Sequence, residues 1–236
     1  MAKNRDRKAI GIIGGMGPEA SRHFYGLLIQ YAQKDYQVAR NEDFPEIYLA
    51  SIPVPDFISS QKRREEALRM LLDRIRQLDK LPIGFYCLTC NTGHLLIDKL
   101  RQQTDKPFIS LLEELPRFLK SQKIKRIGLL ASPTTIRTKM YEKPLNNYGI
   151  NLITPTKGDT EFLGKIILDT VAGKNLEENR IQVQKIARKL LEQGAEGIIE
   201  ACTEIPIIFP KQHLVPVFDT LEILAQAVLK KYYLLE

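Results

Sequence analysis

The two halves of the chain resemble each other in sequence. The run IGIIGG at 10–15 resembles IGLLAS at 127–132, and GFYCLTCNT at 84–92 resembles GIIEACTEI at 197–205. A third pair, PFISLLEEL and PVFDTLEIL, follows in the same order. Three matches in one order, offset by about 110 to 117 residues, indicate two copies of one structural unit.

Short apolar runs alternate with longer amphipathic segments along the chain. The apolar runs predict buried strands or strand starts, and they are 9–14, 46–52, 82–88, 107–112, 126–132, 150–154, 196–201 and 215–219. Apolar residues recur at helical spacing in 18–39, 61–80, 136–148 and 176–193. We therefore expect an α/β fold with two similar domains, each a short parallel sheet flanked by helices, related by pseudo-twofold symmetry. The predicted domains are 1–115 plus 212–236 and 116–211, with the site in the cleft between them.

Composition limits the classes of protein to consider. A chain of 236 residues can bury the cores of two small domains, and its three cysteines are too few for a disulfide framework. The N-terminus has no apolar signal segment and no stretch approaches a membrane span, so we expect a cytoplasmic protein that binds no membrane. The net charge of +7 comes from clusters without interleaved aromatic residues, which predicts solvated surfaces rather than a nucleic-acid platform.

A glycine-rich segment, GIIGGMGPEAS, follows the first predicted strand. Gly15, Gly17 and Ala20 fit the G-x-G-x-x-A pattern of a dinucleotide site. Pro18, however, removes a backbone N–H that such a site needs, and the next strand does not end in a ribose-binding acid. The segment instead predicts a turn that brings backbone amides close to a small anion such as a carboxylate.

The stretch CLTCNTGH holds two cysteines at C-x-x-C spacing. A zinc site built on Cys87, Cys90 and His94 would need a further ligand, and the candidates, Cys202, His23 and His213, lack paired spacing. A thioredoxin-like pair would open a helix, whereas Cys87 lies inside a strand run, where we expect it to be a small buried hydrophobe. We expect no bound metal.

Cys90 lies just past the predicted strand and just before a predicted helix start. There the helix N-terminal amides lower a thiol's pKa and make it a nucleophile or a base. The internal repeat pairs Cys90 with Cys202, in EACTEIP, which lies within one residue of the corresponding position and also at a strand end. Two such thiols could flank one substrate carbon from opposite sides.

The motifs GIIGGMGPEAS, CNTGH and CTEIP, in this order over nearly the whole chain, resemble the aspartate/glutamate racemase superfamily, and most closely its aspartate racemase branch. The resemblance implies cofactor-independent racemisation of an amino acid by two bases, Cys90 and Cys202. It also implies a homodimer.

The same resemblance implies the roles of further residues. Those that would line the site and bind the substrate are Met16, Asn91, Thr92, Ser132, Thr135 and Thr203. Glu204 could tune Cys202, contact the substrate ammonium group, or simply favour a helix start. We expect a structural role for His94.

The chain departs from the pattern of racemases that bind a second carboxylate. In those racemases basic residues occupy the two positions that Phe57 and Glu161 occupy here. The lysines Lys157 and Lys165 lie close to the second position in sequence. An acidic substrate side chain would there lack its charge partner. Other readings are a hydantoin racemase-like or maleate isomerase-like activity, or a non-catalytic protein that binds a small molecule with the same fold.

Overall fold

The computed structural model describes residues 8–55, 61–209 and 215–234. The chain divides into two compact units, Met1–Ser110 with Leu224–Glu236 and Leu111–Ile223. They are called unit 1 and unit 2 below. In the described ranges, no helix is long and apolar enough to cross a bilayer.

Unit 1 contains a parallel sheet of four strands in the order β2-β1-β3-β4. Its elements, in chain order, are β1 (Ala9–Gly14), α1 (Pro18–Tyr36), β2 (Ile47–Ser51), α2 (Gln61–Leu78), β3 (Ile83–Leu88), α3 (Ile97–Arg101) and β4 (Phe108–Ile109). Every residue of β1 is buried, as a continuous apolar run in a parallel sheet predicts, whereas β2 is half-exposed at the sheet edge.

Unit 2 contains a second parallel sheet with the equivalent order, β6-β5-β7-β8. Its elements are α4 (Leu111–Ser121), β5 (Arg126–Ala131), α5 (Pro133–Arg137), α6 (Glu142–Asn146), β6 (Asn151–Ile153), α7 (Lys157–Val171), α8 (Leu176–Glu192), β7 (Ile198–Ala201), α9 (Ile205–Ile208) and β8 (Val217–Asp219). The unit boundary falls within α10 (Thr220–Leu234). The core of unit 2 is formed where α7, α8 and α9 pack on β5 and β7.

The predicted α/β fold with two similar parallel sheets is confirmed. Two local expectations were wrong. The run 107–112 is a strand only at Phe108–Ile109, because α4 already begins at Leu111. The segment 136–148 is not one helix but parts of α5 and α6, because Lys139 between them adopts a left-handed backbone with φ of 56°.

The registers of the two sheets show which residues of the units are equivalent. In unit 1 Gly11 pairs with Tyr86, and a Cβ at Gly11 would collide with the Tyr86 ring. In unit 2 Gly128 pairs with Ile198, and a Cβ there would lie 2.7 Å from the Ile198 Cδ1 atom. Each inner strand thus has a glycine that gives room to a large side chain on its neighbour. Counting onward along β3 and β7, this register makes Cys90 equivalent to Cys202.

Candidate active site

In each sheet the strand order reverses between two inner strands, β1 and β3 in unit 1 and β5 and β7 in unit 2. The crevice outside the carboxyl ends of such strands is where open α/β sheets bind ligands. The predicted site residues follow these four strands: Met16 follows β1, Ser132 and Thr135 follow β5, and the two cysteine motifs follow β3 and β7. The topology therefore gives each unit its own group of candidate site residues at the carboxyl ends of its inner strands.

In unit 1 the loop after β1 is tied to the segment that carries Cys90. The Gly15 N–H donates to the Ser21 hydroxyl at 2.9 Å, and that hydroxyl lies 3.2 Å from the Thr89 hydroxyl. Gly15 has a φ of 90°, and a Cβ there would collide with the Ile52 backbone, so this position requires glycine. Thr89 immediately precedes Cys90, so the two loops are held together by one buried pair of hydroxyls.

Cys90 is 8% exposed and packs with Ala67 of α2. Met16 and Val54 pack against the same small cluster. The structure thus brings Met16 close to Cys90. Ala67 and Val54 were not predicted as site residues, because an alanine in an amphipathic helix and a valine in a loop carry no chemical signal.

The Cys90 sulfur accepts a hydrogen bond from the Gly93 N–H at 3.3 Å. The segment that supplies this amide is a 3₁₀ turn, Thr92–Leu96, followed by the five-residue α3. The expectation of a regular helix directly after Cys90 was therefore wrong. Stabilisation of a thiolate at this position comes from a local backbone amide rather than from the dipole of a long helix.

Asn91 and Thr92 are also buried in this turn, at 4% and 7% exposure. His94 is buried beside them, and its Nδ1 atom lies 2.8 Å from the Cys90 carbonyl oxygen. Burial lowers the pKa of His94 to about 4, against the opposite effect of its hydrogen bonds to the Cys90 and Asn91 backbone. The neutral ring donates its Nδ1–H to that carbonyl, and so fixes the backbone that carries Cys90.

Cys87 is fully buried within β3. Burial raises the pKa of its thiol far above the ordinary range, so it stays protonated. Among the described residues no group of three or more His, Cys, Asp or Glu could hold a metal ion. His213, one of the further ligands considered above, lies outside the described residues.

In unit 2 the loop after β5 is closed by its own side chains. The Ser132 hydroxyl caps α5 by accepting from the Thr135 N–H at 3.2 Å, and it donates to the Thr135 hydroxyl at 3.1 Å. Both side chains are buried. The two predicted binding residues of this loop therefore contact each other directly.

Cys202 is half-buried in the turn between β7 and α9. Its thiol donates to Oε2 of Glu204 at 3.0 Å, and the Thr203 hydroxyl donates to the same oxygen at 2.9 Å. One carboxylate oxygen thus accepts both hydrogen bonds. Of the three roles considered for Glu204, the structure shows its contact with Cys202 and its position at the start of α9.

Glu200 is a feature of this part of unit 2 that the sequence analysis did not single out. It lies on β7, two residues before Cys202, and is 6% exposed. Burial, and then the charges of Asp219 and Glu222, raise the pKa of its carboxyl to about 8. A charged residue inside a strand of apolar residues was the available signal, because such residues are seldom buried without a reason.

The residues considered for recognition of the substrate side chain give a mixed result. Phe57 lies outside the described residues. Glu161, Lys157 and Lys165 are all exposed in the first three turns of α7. The helix approaches α5 closely, since a Cβ at Gly164 would lie 2.8 Å from the Pro133 ring.

Comparison with known proteins gives a consistent result. The sequence profile of the Asp/Glu/Hydantoin racemase family matches residues 13–228. The broad specificity amino-acid racemase RacX of Bacillus subtilis is 25% identical over 224 residues, which cover 94% of this chain and 97% of RacX.

Solved structures agree with the sequence comparison. An aspartate racemase homologue from Pyrococcus horikoshii superimposes with a TM-score of 0.80 at 26% identity, covering 94% of this chain and 98% of the other. The aspartate racemase of Picrophilus torridus gives a TM-score of 0.81 at 25% identity, with 95% and 94% covered.

Proposed function

Because the chain belongs to the Asp/Glu/Hydantoin racemase family, we propose that it racemises amino acids without a cofactor, with Cys90 and Cys202 as acid and base on opposite faces of the α-carbon. The observation that carries the proposal is the equivalence of the two cysteines. Each follows the same strand of its own sheet, and each sulfur is hydrogen-bonded within the turn that follows that strand. Two equivalent bases are what inversion of one carbon requires.

The chemistry needs one thiolate and one thiol at the start of each turnover. The thiolate removes the α-proton and becomes a thiol, and the α-carbon holds the electron pair of the broken C–H bond. The opposite thiol then donates its proton to the other face of the carbon and becomes a thiolate. The atoms balance without any external acid or base, and the enzyme leaves the turnover with its two protonation states exchanged.

The surrounding polar residues have a distinct part in this proposal. The intermediate places negative charge on the substrate carboxylate, and donors aimed at that group lower the barrier. Side chains that follow the inner strands are suited to this task, and we assign substrate binding to Asn91, Thr92, Ser132, Thr135 and Thr203, with Met16 as an apolar wall. A homodimer in the cytoplasm remains part of the same proposal.

The test is racemisation in D₂O, starting separately from the L- and D-forms of acidic, neutral and basic amino acids. At low conversion the product should carry deuterium, because the donating thiol exchanges with solvent. The unreacted substrate should keep its protium, because the base that removes the proton is not the group that returns it. A parallel set of 5-substituted hydantoins tests the other substrate class in the family name.

Three variants assign the bases. Cys90→Ala and Cys202→Ala should each lose at least about 10² to 10⁴ of the racemisation rate, the usual contribution of a positioned acid or base. Cys87→Ala is the matched control and should keep the wild-type rate, because its thiol lies inside the strand. Full activity of Cys202→Ala contradicts the two-thiol mechanism, and turnover of hydantoins alone contradicts the amino-acid substrate.

A further inference from the structure

The two sulfurs have opposite hydrogen-bonding roles. A backbone N–H can only donate, so the Cys90 sulfur accepts from Gly93 at 3.3 Å. An ionised carboxylate can only accept, so the Cys202 thiol donates to Glu204 at 3.0 Å. A sulfur that accepts is favoured as the thiolate, and a sulfur that donates is favoured as the thiol.

The carboxylate beside Cys202 is held in place. The Thr203 hydroxyl donates to the same Oε2 atom at 2.9 Å. Glu204 directly precedes α9, so its backbone is also fixed. A negative charge fixed 3.0 Å from a sulfur raises the free energy of a second negative charge on that sulfur. Deprotonating Cys202 would also replace the S–H···O hydrogen bond with a repulsive contact.

Further acidic residues of unit 2 lie on β7, the strand that precedes Cys202, or interact with Glu200 on that strand. Glu200 lies two residues earlier on β7, and Asp219 pairs with it from β8. Glu222 lies in the first turn of α10. Glu200 is mostly protonated at neutral pH, since its pKa is raised to about 8, and it adds negative charge only in alkaline solution. On the Cys90 side, His94 is a neighbouring titratable group and is neutral at neutral pH.

We propose that Glu204 is a positioning residue that keeps Cys202 protonated in the resting enzyme, so that Cys90 is the resting thiolate. This inference rests on the proposed function, in which both sulfurs react. The enantiomer whose α-proton faces Cys90 then meets an enzyme already in the right state. The opposite enantiomer needs the less stable state, with its charge on Cys202 beside Glu204.

The asymmetry has a defined kinetic signature. Two enantiomers have equal free energies in achiral solvent, so kcat/KM must be equal in the two directions whatever the protein does. The preference for one protonation state must therefore change kcat and KM together, with the two effects cancelling in their ratio. Glu204→Gln should bring the two kcat values closer to each other.

The decisive measurement is alkylation of the full-length protein by iodoacetamide without substrate, from pH 5.5 to pH 10. Mass spectrometry with fragment ions separates Cys90 from Cys202. Exposure alone predicts that Cys202 reacts faster, because Cys90 is the more buried thiol. The proposal predicts the opposite order at pH 7, and a midpoint for Cys90 at least about one pH unit lower, which is tenfold in thiolate fraction.

Two variants test the part played by Glu204. Glu204→Gln removes the charge and should lower the Cys202 midpoint by about one pH unit while leaving that of Cys90 in place. Glu204→Asp keeps the charge and should retain most of the wild-type midpoint. Glu192→Gln is the matched control, because it removes a carboxylate of the same unit at the end of α8, next to the amino end of β7.

This inference is overturned if Cys90 and Cys202 have equal alkylation midpoints in the wild type, or if the Cys202 midpoint is unchanged in Glu204→Gln. Neither outcome contradicts the proposed racemisation. The converse outcome is also distinct. Separate midpoints that respond to Glu204, in a protein that racemises nothing in the panel, support the assignment of the two protonation states and contradict the proposed function.

Discussion

The loops that follow β1 and β5 occupy the same place in the internal repeat, yet they obtain a buried hydroxyl in different ways. In unit 1 the loop begins with Gly15, and Ser21 of α1 provides the hydroxyl. In unit 2 the loop begins with Ser132, which provides its own. A side chain at Gly15 would collide with the Ile52 backbone, so the hydroxyl there has to come from the helix. Both loops therefore have a buried serine hydroxyl, but the serine lies in the helix in unit 1 and in the loop itself in unit 2.

The inner strands β3 and β7 differ more. By register Leu88 of β3 is equivalent to Glu200 of β7, and both are buried. Beyond these strands, the Cys90 sulfur faces a backbone amide, whereas the Cys202 thiol faces a carboxylate. The difference shows how a repeated scaffold can hold two identical thiols in unequal chemical environments.

The largest effect should come from Gly15→Ala. It adds a Cβ against the Ile52 backbone at a φ of 90°, so strain and overlap both oppose folding. We expect a loss of about 4 kcal/mol in unfolding free energy. Gly149→Ala is the matched control: its φ is 72° but no atom lies within 4 Å of the added Cβ, so about 1 to 2 kcal/mol is expected. Equal urea midpoints for the two variants would show that the packing against Ile52 carries no cost.

Glu200→Gln should change how stability depends on pH. The carboxyl has a pKa of about 8 in the folded protein and 4.5 when unperturbed. Between these values the native state binds the extra proton, so wild-type stability falls as pH rises from about 4.5 to about 8. The variant lacks this loss, so its unfolding free energy relative to that of the wild type should rise by on the order of 3 to 4 kcal/mol across that pH range.

The control for this experiment has the opposite sign. The pKa of Glu196 is lowered, first by its hydrogen bond from the Lys125 backbone N–H. The stability it provides is present above pH 4.5 and is lost on acidification through the lowered pKa. Glu196→Gln should therefore lose stability relative to the wild type as pH rises, in the same chemical denaturation series. A gain in both variants would mean that burial of Glu200 is not the cause.

Much of the fold could be predicted from the sequence, because buried strands of a parallel sheet are continuous apolar runs. Such runs predicted the eight strands found in the described part of the chain. Helical spacing alone did not single out α7 and α10, since their apolar residues do not form one narrow stripe. The run 107–112 was misread because a strand and the first turn of α4 share it without a polar break.

The candidate site was only partly predictable. The repeat brought Cys90 and Cys202 to within one residue of each other, and the registers of the two sheets make them equivalent. The bond between Ser21 and Thr89 joins residues 68 positions apart, and only the packing of α1 against the sheet brings them together. The donation from Cys202 to Glu204 depends on the geometry of a turn, which sequence pattern does not encode.

The two loop hydroxyls offer a smaller test of the comparison. Ser21→Ala removes the acceptor of the Gly15 N–H and the partner of Thr89, so we expect a loss of about 2 kcal/mol. Ser132→Ala removes a helix cap and should cost about 1 kcal/mol. Racemisation should also fall in Ser21→Ala, because the loop that follows β1 and the Cys90 segment lose their connection. Identical thermal midpoints for both variants would contradict a different structural role for the two serines.

The smallest effect should come from Thr203→Val, measured by the same alkylation of Cys202. Loss of the hydroxyl frees Oε2 of Glu204 from one donor but leaves the negative charge beside the thiol. With one donor fewer, Oε2 of Glu204 accepts more strongly from Cys202, which favours the protonated thiol. The carboxylate is also held less firmly, which favours the thiol less. The two effects on the thiolate fraction of Cys202 partly cancel. We expect a change in thiolate fraction of less than about threefold, well below that of Glu204→Gln. Thr135→Val makes the same change at a hydroxyl bonded to Ser132 and should leave Cys202 unaffected. A shift in Thr203→Val as large as that in Glu204→Gln would mean that the orientation of the carboxylate, rather than its charge, makes the two thiols unequal.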